Sequence, residues 1–181
     1  VQELLTADYT FLNEKLARHY GITSVRGAQF RRVRLEDENR YGLLGKGAVL
    51  LHTSYGNRTS PIVRGAWVLD KLRGTPPAPP PPNVETDLST PPGAKPKTMR
   101  AMLEEHRANP TCNMCHGVIE PHGLPLERFT VTGQWRDVDW QANEPIDSKV
   151  AMPDGTEVEG PAELRRVLLG RPGQFVQALT V

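Results

Sequence analysis

The sequence predicts a mainly α-helical protein with long loops, in which an extended proline-rich linker separates a small helical segment from a second helical part. Two observations carry this prediction. Apolar residues recur at helical spacing between residues 8 and 19 and again between residues 99 and 106. Prolines are dense from residue 74 to residue 96, where they fix the backbone and exclude a helix.

Size and composition narrow the possible classes of protein. A chain of 181 residues with 38% apolar and 24% charged residues is sufficient for one modest domain or two small ones. The sequence contains no run of about 18 apolar residues, so no membrane span is expected. The formal net charge of +1, without a long basic run, gives no attraction to nucleic acid. The chain begins without Met or a signal peptide, so we expect a mature fragment or a piece of a longer polypeptide.

Residues 1–73 are predicted to be a helical or mixed segment of a larger upstream domain. A helix is expected from Asp8 to His19, with Gly21 ending it. The stretch from 31 to 54 is charge-rich and then apolar, and its pattern leaves a strand and a short helix both open. Residues 74–96 are expected to be an extended polyproline spacer, with a docking site for a partner as the alternative.

Residues 97–181 carry the chemistry. A helix is expected over residues 97–109, because one face is formed by Met99, Met102, Leu103 and His106. A second helix is expected to begin at Pro161 and to end at Gly170. The glycine- and proline-punctuated stretches between the two helices predict loops.

The pentapeptide Cys112-Asn113-Met114-Cys115-His116 contains both cysteines of the chain. Two thiols at this spacing, followed at once by a histidine, are typical of covalent attachment of one haem c, in which His116 binds the iron. A structural zinc site is the alternative, although no second close pair of ligands is evident. A redox dithiol or a disulfide is also open, but a helix and a proline precede the motif where a thioredoxin-like site has a strand.

Four segments of the chain carry a family resemblance: LLTADYTFLNEKLARHYGI, NRTSPIVRGAWVLDKLRGTPPAPPPPNV, EEHRANPTCNMCHGVIEPHGLPLERFTVTGQWR and MPDGTEVEGPAELRRVLLGRPGQFV. Together they resemble the large planctomycete-type proteins of unknown function that carry a C-terminal cytochrome c domain. The resemblance implies a cytochrome c-like haem domain at residues 97–181, at the end of a longer, exported, multi-domain protein. His122 departs from the family pattern, in which an aliphatic residue is usual, and this argues against His122 as a general haem ligand.

The sixth iron ligand is left open by the sequence. His106 lies on the apolar helix face near the thiols, and the resemblance implies a histidine at this position. Met152, in a loop well after the motif, is at a position from which small cytochromes recruit a thioether. His52 is a third candidate. The remaining alternatives are an open sixth position and a ligand from outside the chain.

Trp135 and Arg136 are candidate partners for the haem propionates. An indole N–H beside a guanidinium supplies one neutral and one charged donor to a buried anion. Arg58 and Arg64 would serve the same purpose from the first part of the chain. A surface tryptophan packed beside an arginine in a turn is the alternative.

Single-electron transfer with a redox partner protein is the function that these residues favour, in the periplasm or another extracytoplasmic compartment. A peroxidase-like or small-substrate haem enzyme with an open distal site is the first alternative. A zinc-binding structural module is the second. A haem domain accessory to a surface-binding protein is compatible with electron transfer.

Overall fold

The helices of this chain are short. A computed structural model describes residues 1–80, 93 and 95–180. Within these residues the α-helices are α1 Glu3–Thr6, α2 Glu14–His19, α3 Gly47–His52, α4 Pro61–Trp67, α5 Met99–Arg107, α6 Pro110–Gly123, α7 Gly160–Leu169 and α8 Pro172–Ala178. A π-helical turn, Val68–Leu72, extends α4, and 3-10 turns lie at Glu38–Arg40, Leu43–Gly45 and Leu124–Leu126.

Three antiparallel two-stranded sheets accompany the helices in the described residues. Their strands are β1 Tyr9–Leu12 with β2 Arg31–Arg34, β3 Val138–Asp139 with β4 Glu144–Pro145, and β5 Lys149–Ala151 with β6 Glu157–Glu159. The predicted mainly α, cytochrome c-like fold is therefore wrong. The fold is mixed, with about 47% helix and 12% strand among the residues that the structure describes.

The first sheet replaces the N-terminal part of the helix predicted from Asp8 to His19, and the C-terminal half is helical as α2. The segment Tyr9–Leu12 is aromatic and β-branched, and it pairs with β2. The helix begins only at Glu14, because the Asn13 side chain accepts a hydrogen bond of 2.9 Å from the Leu16 amide and so caps α2. The helical spacing of Leu12 and Leu16 therefore spans two different elements.

The other two sheets occupy the stretch predicted as loops. Asn143, with φ of 55°, lies in the turn between β3 and β4, and Gly155, with φ of 85°, lies in the turn between β5 and β6. Alternating burial along the second hairpin places Val150 and Val158 inward and the charged residues outward.

Two predicted helices are confirmed. The helix α5 covers Met99–Arg107, and the Thr98 hydroxyl caps it by accepting from the Ala101 amide. The helix α7 has Pro161 in its first turn and ends with Gly170 as its C-cap residue.

One hydrophobic core contains residues from both sides of the proline-rich segment. Leu5, Leu44, Val68 and Leu72 from the first part pack in the same cluster as Leu103 of α5. The cluster is completed by Met99, Leu124, Leu126, Val150, Met152, Val158, Leu164, Leu168 and Phe175. Residues 1–73, whose packing partner the sequence leaves open, therefore pack on the part that carries the cysteines.

The predicted linker is only partly described. Residues 74–80, 93, 95 and 96 contain no helix or strand, and residues 81–92 and 94 lie outside the described residues. The division into 1–73, 74–96 and 97–181 stays a prediction. None of the helices in the described ranges has the length and apolar character needed to cross a membrane.

Close contact between α4 and α6 depends on two glycines. A Cβ at Gly65 would lie 2.1 Å from the Ile119 carbonyl oxygen, and one at Gly123 would lie 1.8 Å from the Pro61 carbonyl oxygen. The two helices are therefore in direct backbone contact at this crossing. A change of side-chain rotamer could not remove the clash that a larger residue would make there. The crossing fixes α6, which carries the cysteine motif, against the first part of the chain.

Replacing Gly65 with alanine is expected to lower the free energy of unfolding by about 1–3 kcal/mol, because the methyl group forces α4 and α6 apart. Urea unfolding measures the change. Gly173 in α8 is the matched control, since a Cβ there meets nothing within 4 Å. Gly173→Ala should leave stability unchanged or slightly raised. Equal stability of Gly65→Ala and wild type would contradict the packing argument.

Candidate functional site

The cysteine motif lies in the first two turns of α6. Asn109 caps this helix by accepting a hydrogen bond of 2.9 Å from the Thr111 amide, and Pro110 occupies its first position. Cys112, Cys115 and His116 then follow at i, i+3 and i+4, so their side chains share one helix face. The helix thus presents two thiols and an imidazole in the same direction.

Both thiols are free and half-buried, and no disulfide joins them. Between them, Met114 is 72% exposed and points away from the face that the two cysteines share. The thiols are therefore separately available for covalent chemistry on one side of the helix.

His116 is held by a buried carboxylate one turn further along α6. Its Nδ1 lies 2.8 Å from Oε1 of Glu120, whose residue is completely buried. Because an ionised carboxylate only accepts hydrogen bonds, the shared proton belongs to Nδ1 of His116. On the other side of Glu120, Nε of Arg107 lies 2.9 Å from Oε2.

His106 lies directly beside His116. The centroids of the two imidazole rings are 4.5 Å apart, with the ring planes tilted by 51°. The pKa of His106 is lowered from its usual value, first by burial and then by the adjacent His116, while Glu120 opposes the shift. The last turn of α5 therefore brings a second imidazole to the motif, as its apolar face predicts.

The other candidate iron ligands lie elsewhere or are already engaged. Met152 is 3% exposed in the main hydrophobic core, and His52 is an exposed residue at the end of α3. His122 uses both ring nitrogens, since Nδ1 lies 2.9 Å from the Val118 carbonyl oxygen and Nε2 lies 2.8 Å from a terminal nitrogen of Arg73. Among the candidates, the structure brings only His106 against His116.

The predicted propionate partners both have partners within the protein. The indole N–H of Trp135 donates to Asp137 over 3.1 Å. The guanidinium of Arg136 donates to Thr59 over 3.1 Å and to Glu127 over 3.3 Å. Their role towards a haem propionate stays a prediction.

Arg64 is completely buried, and its four terminal N–H groups are all used by the protein. They donate to the carbonyl oxygens of Leu126, Phe129 and Thr130 and to the Ser54 hydroxyl. Arg64 therefore ties α4 to the segment that follows α6. Arg58 has no hydrogen bond from its guanidinium to any described residue and stacks on the Tyr55 ring, 4.5 Å from the centroid.

A cavity of about 490 Å³ opens beside α5. Its lining includes Arg58, Arg136 and Trp140, together with Met99 and Met102 from the apolar face of α5. Trp135 is not part of the lining. Since Met102 precedes His106 by one turn on that face, the cavity and the paired histidines lie along the same side of the helix.

The donor set at the start of α6 has the composition that a c-type haem takes from a protein. Structural zinc takes four ligands, usually cysteine and histidine. Within residues 1–80, 93 and 95–180, no group of three or more His, Cys, Asp and Glu side chains is arranged to hold a metal ion. A c-type haem needs two free thiols and one or two axial ligands from the protein, and Cys112, Cys115 and His116 have that composition.

Sequence reasoning missed Glu120 and Arg107. The spacing of His116 and Glu120, four residues apart on a helix, is a signal that would have found the pair. Arg107 gave no such signal, because its approach depends on how α5 and α6 meet.

A helix that presents two thiols and a supported imidazole defines a candidate attachment site for a prosthetic group. The family model PSCyt3, described as a protein of unknown function (DUF1588), matches residues 40–139, more than half of the chain. The chain belongs to this family. The match agrees in part with the predicted resemblance, while the multi-domain context with a C-terminal cytochrome c domain stays a prediction. Comparison with curated proteins and with solved structures finds no match.

Proposed function

We propose that this protein binds one haem c covalently through Cys112 and Cys115, that His116 is an axial ligand of the iron, and that the protein transfers single electrons. The haem supplies a one-electron ferric/ferrous couple when bound. The protein's own residues hold it, orient the axial imidazole and limit the access of other ligands.

The hydrogen bond between His116 and Glu120 is the observation that carries this proposal. With its proton on Nδ1, a neutral His116 has a bare Nε2, which is the form of imidazole that binds iron. Many helices contain a histidine at a chance spacing from a cysteine pair. A histidine whose other nitrogen is bonded to a buried carboxylate is a more specific arrangement.

His106 is the proposed sixth ligand, and this favours electron transfer over a haem enzyme. His116 and His106 would both be near a haem held by the two thiols, and a second imidazole would occupy a position that peroxide or substrate chemistry needs vacant. Two imidazole ligands also favour the ferric form, so the reduction potential should lie below that of a His/Met cytochrome.

The same proposal assigns the compartment and the partners. Covalent attachment of haem c is extracytoplasmic chemistry, so we place the protein in the periplasm or beyond. In such an oxidising compartment the two thiols would form a disulfide unless haem attachment engages them. Its partner is then a redox protein that exchanges one electron at a time. We also propose that the chain is part of a longer, multi-domain polypeptide or of a larger complex.

The test is the spin state and ligand binding of the haem-loaded chain. Wild type should be low spin in the ferric form and should not bind carbon monoxide rapidly in the ferrous form. His106→Ala should open the site, so that the ferric spectrum becomes high spin and carbon monoxide binds readily. Absorption spectroscopy and stopped-flow mixing measure both effects.

His52→Ala is the matched control, because His52 is exposed at the end of α3 and should leave the spectrum unchanged. A high-spin wild type that binds carbon monoxide rapidly would overturn the electron-transfer proposal in favour of a haem enzyme. A near-infrared band of methionine sulfur on ferric iron would remove His106 as the ligand and make Met152 the residue to replace.

A further inference from the structure

Glu120 is an acidic residue in a position where acids are rarely found. It is completely buried, and its carboxylate lies between His116 on its own helix and Arg107 at the end of α5. A carboxylate out of water is strongly unfavourable unless charges or donors compensate it. Both of its neighbours supply that compensation, and one of them is the proposed iron ligand.

The two carboxylate oxygens have different partners. Oε1 accepts the hydrogen bond of 2.8 Å from Nδ1 of His116. Oε2 lies 2.9 Å from Nε of Arg107, but neither atom completes a hydrogen bond with any described group. Arg107 therefore acts on Glu120 as a nearby charge, while the directional bond is made to His116.

This arrangement has a chemical consequence for the other nitrogen of the ring. A carboxylate that holds the Nδ1 proton fixes the tautomer and the orientation of the imidazole, and it increases the electron density on Nε2. A more basic imidazole stabilises the ferric state of an iron to which it binds, so it lowers the reduction potential.

We propose that Glu120 is the positioning residue of the site: it holds His116 as the Nδ1–H tautomer with Nε2 free and thereby lowers the reduction potential of the haem. This inference rests on the proposed function, and it goes further by assigning the residue that orients and tunes the ligand. The positive charge of Arg107 compensates the buried carboxylate from the Oε2 side and leaves Oε1 to His116.

The first test uses the metal-free chain. In wild type, ¹⁵N NMR of His116 should show the Nδ1–H tautomer almost alone. Glu120→Gln is isosteric, but its amide either accepts from or donates to the ring, so the tautomers should become mixed. Circular dichroism checks that the variant is folded.

The second test uses the haem-loaded chain. Glu120→Gln should shift the ferrous-to-ferric equilibrium about tenfold towards ferrous, which is about 59 mV for a one-electron couple. Glu120→Asp restores the carboxylate and should return the potential towards that of wild type. Glu104→Gln is the control for the loss of one charge, because Glu104 lies on α5 with its side chain 53% exposed and should leave the potential nearly unchanged.

The outcomes separate this inference from the proposed function. If wild type acquires no covalent haem, the proposed function fails, and the tautomer in the metal-free chain still decides whether Glu120 orients His116. If haem attaches but Glu120→Gln leaves both the tautomer and the potential unchanged, the positioning role is overturned while haem binding stands. A shift of equal size in Glu104→Gln also overturns it, since net charge alone would then explain the change.

Discussion

Replacing Cys112 and Cys115 together with alanine should abolish covalent attachment of haem. Thioether bonds to the two thiols are the only covalent link in the proposal, and the chain has no other cysteine. Haem should then be extracted from the denatured variant by acidified organic solvent, and the mass of the polypeptide should show no adduct. Each single variant should keep one thioether bond or accumulate poorly, because maturation depends on both thiols.

Met114→Ala is the matched control for the cysteine variants. Met114 lies between the two cysteines and is 72% exposed, so its loss should leave attachment intact. Equal haem retention by the double cysteine variant and by Met114→Ala would show that the cysteines do not hold the haem. The proposed chemistry of the motif would then be wrong.

Arg64→Met should lower the free energy of unfolding by about 3–5 kcal/mol. Arg64 lies 3.5 Å from the buried Glu127, and its terminal N–H groups satisfy three backbone carbonyls of the segment after α6. Burial lowers the pKa of Arg64 to about 10, so the side chain is still cationic at neutral pH. Methionine fills similar space but leaves the carbonyls without donors and Glu127 with Arg136 as its remaining cation.

Arg34→Met provides the comparison for an exposed ion pair. The Arg34 side chain is 82% exposed beside Asp8, and a pair of this kind contributes at most about 1 kcal/mol. Thermal and urea unfolding should therefore separate the two variants clearly. Similar losses of stability in both would contradict the assignment of Arg64 as the tie between α4 and the segment after α6.

Helices could be predicted from the sequence where apolar residues at helical spacing form one continuous face. The helices α5 and α7 follow from apolar residues at helical spacing with a cap or a proline at their starts. The strand Tyr9–Leu12 was missed because its spacing also fits a helix, and only the cap at Asn13 decides where the helix begins. The hairpin β5–β6 had a readable signal, since buried Val150 and Val158 each lie between two exposed residues, on either side of a turn at Gly155.

The candidate site was partly predictable for a similar reason. The spacing of Cys112, Cys115 and His116 is local in sequence, and the face of α5 indicated that His106 points towards apolar surroundings. The pairing of His106 with His116 depends on how two helices meet after Asn109 and is visible only in three dimensions. The burial of Glu120 likewise depends on tertiary packing. It could not be predicted from the sequence, because charged residues are rarely buried.

Covalent haem on the wild-type chain is the measurement that tests the central claim most directly. The full chain is exported in a host with c-type maturation, denatured, and examined by intact mass and by its pyridine haemochrome spectrum. The account predicts a mass increase of one haem on the polypeptide and a haemochrome of the thioether-linked type that survives denaturation. An unmodified polypeptide with two reactive thiols, purified from a host that attaches haem to c-type cytochromes, would contradict it.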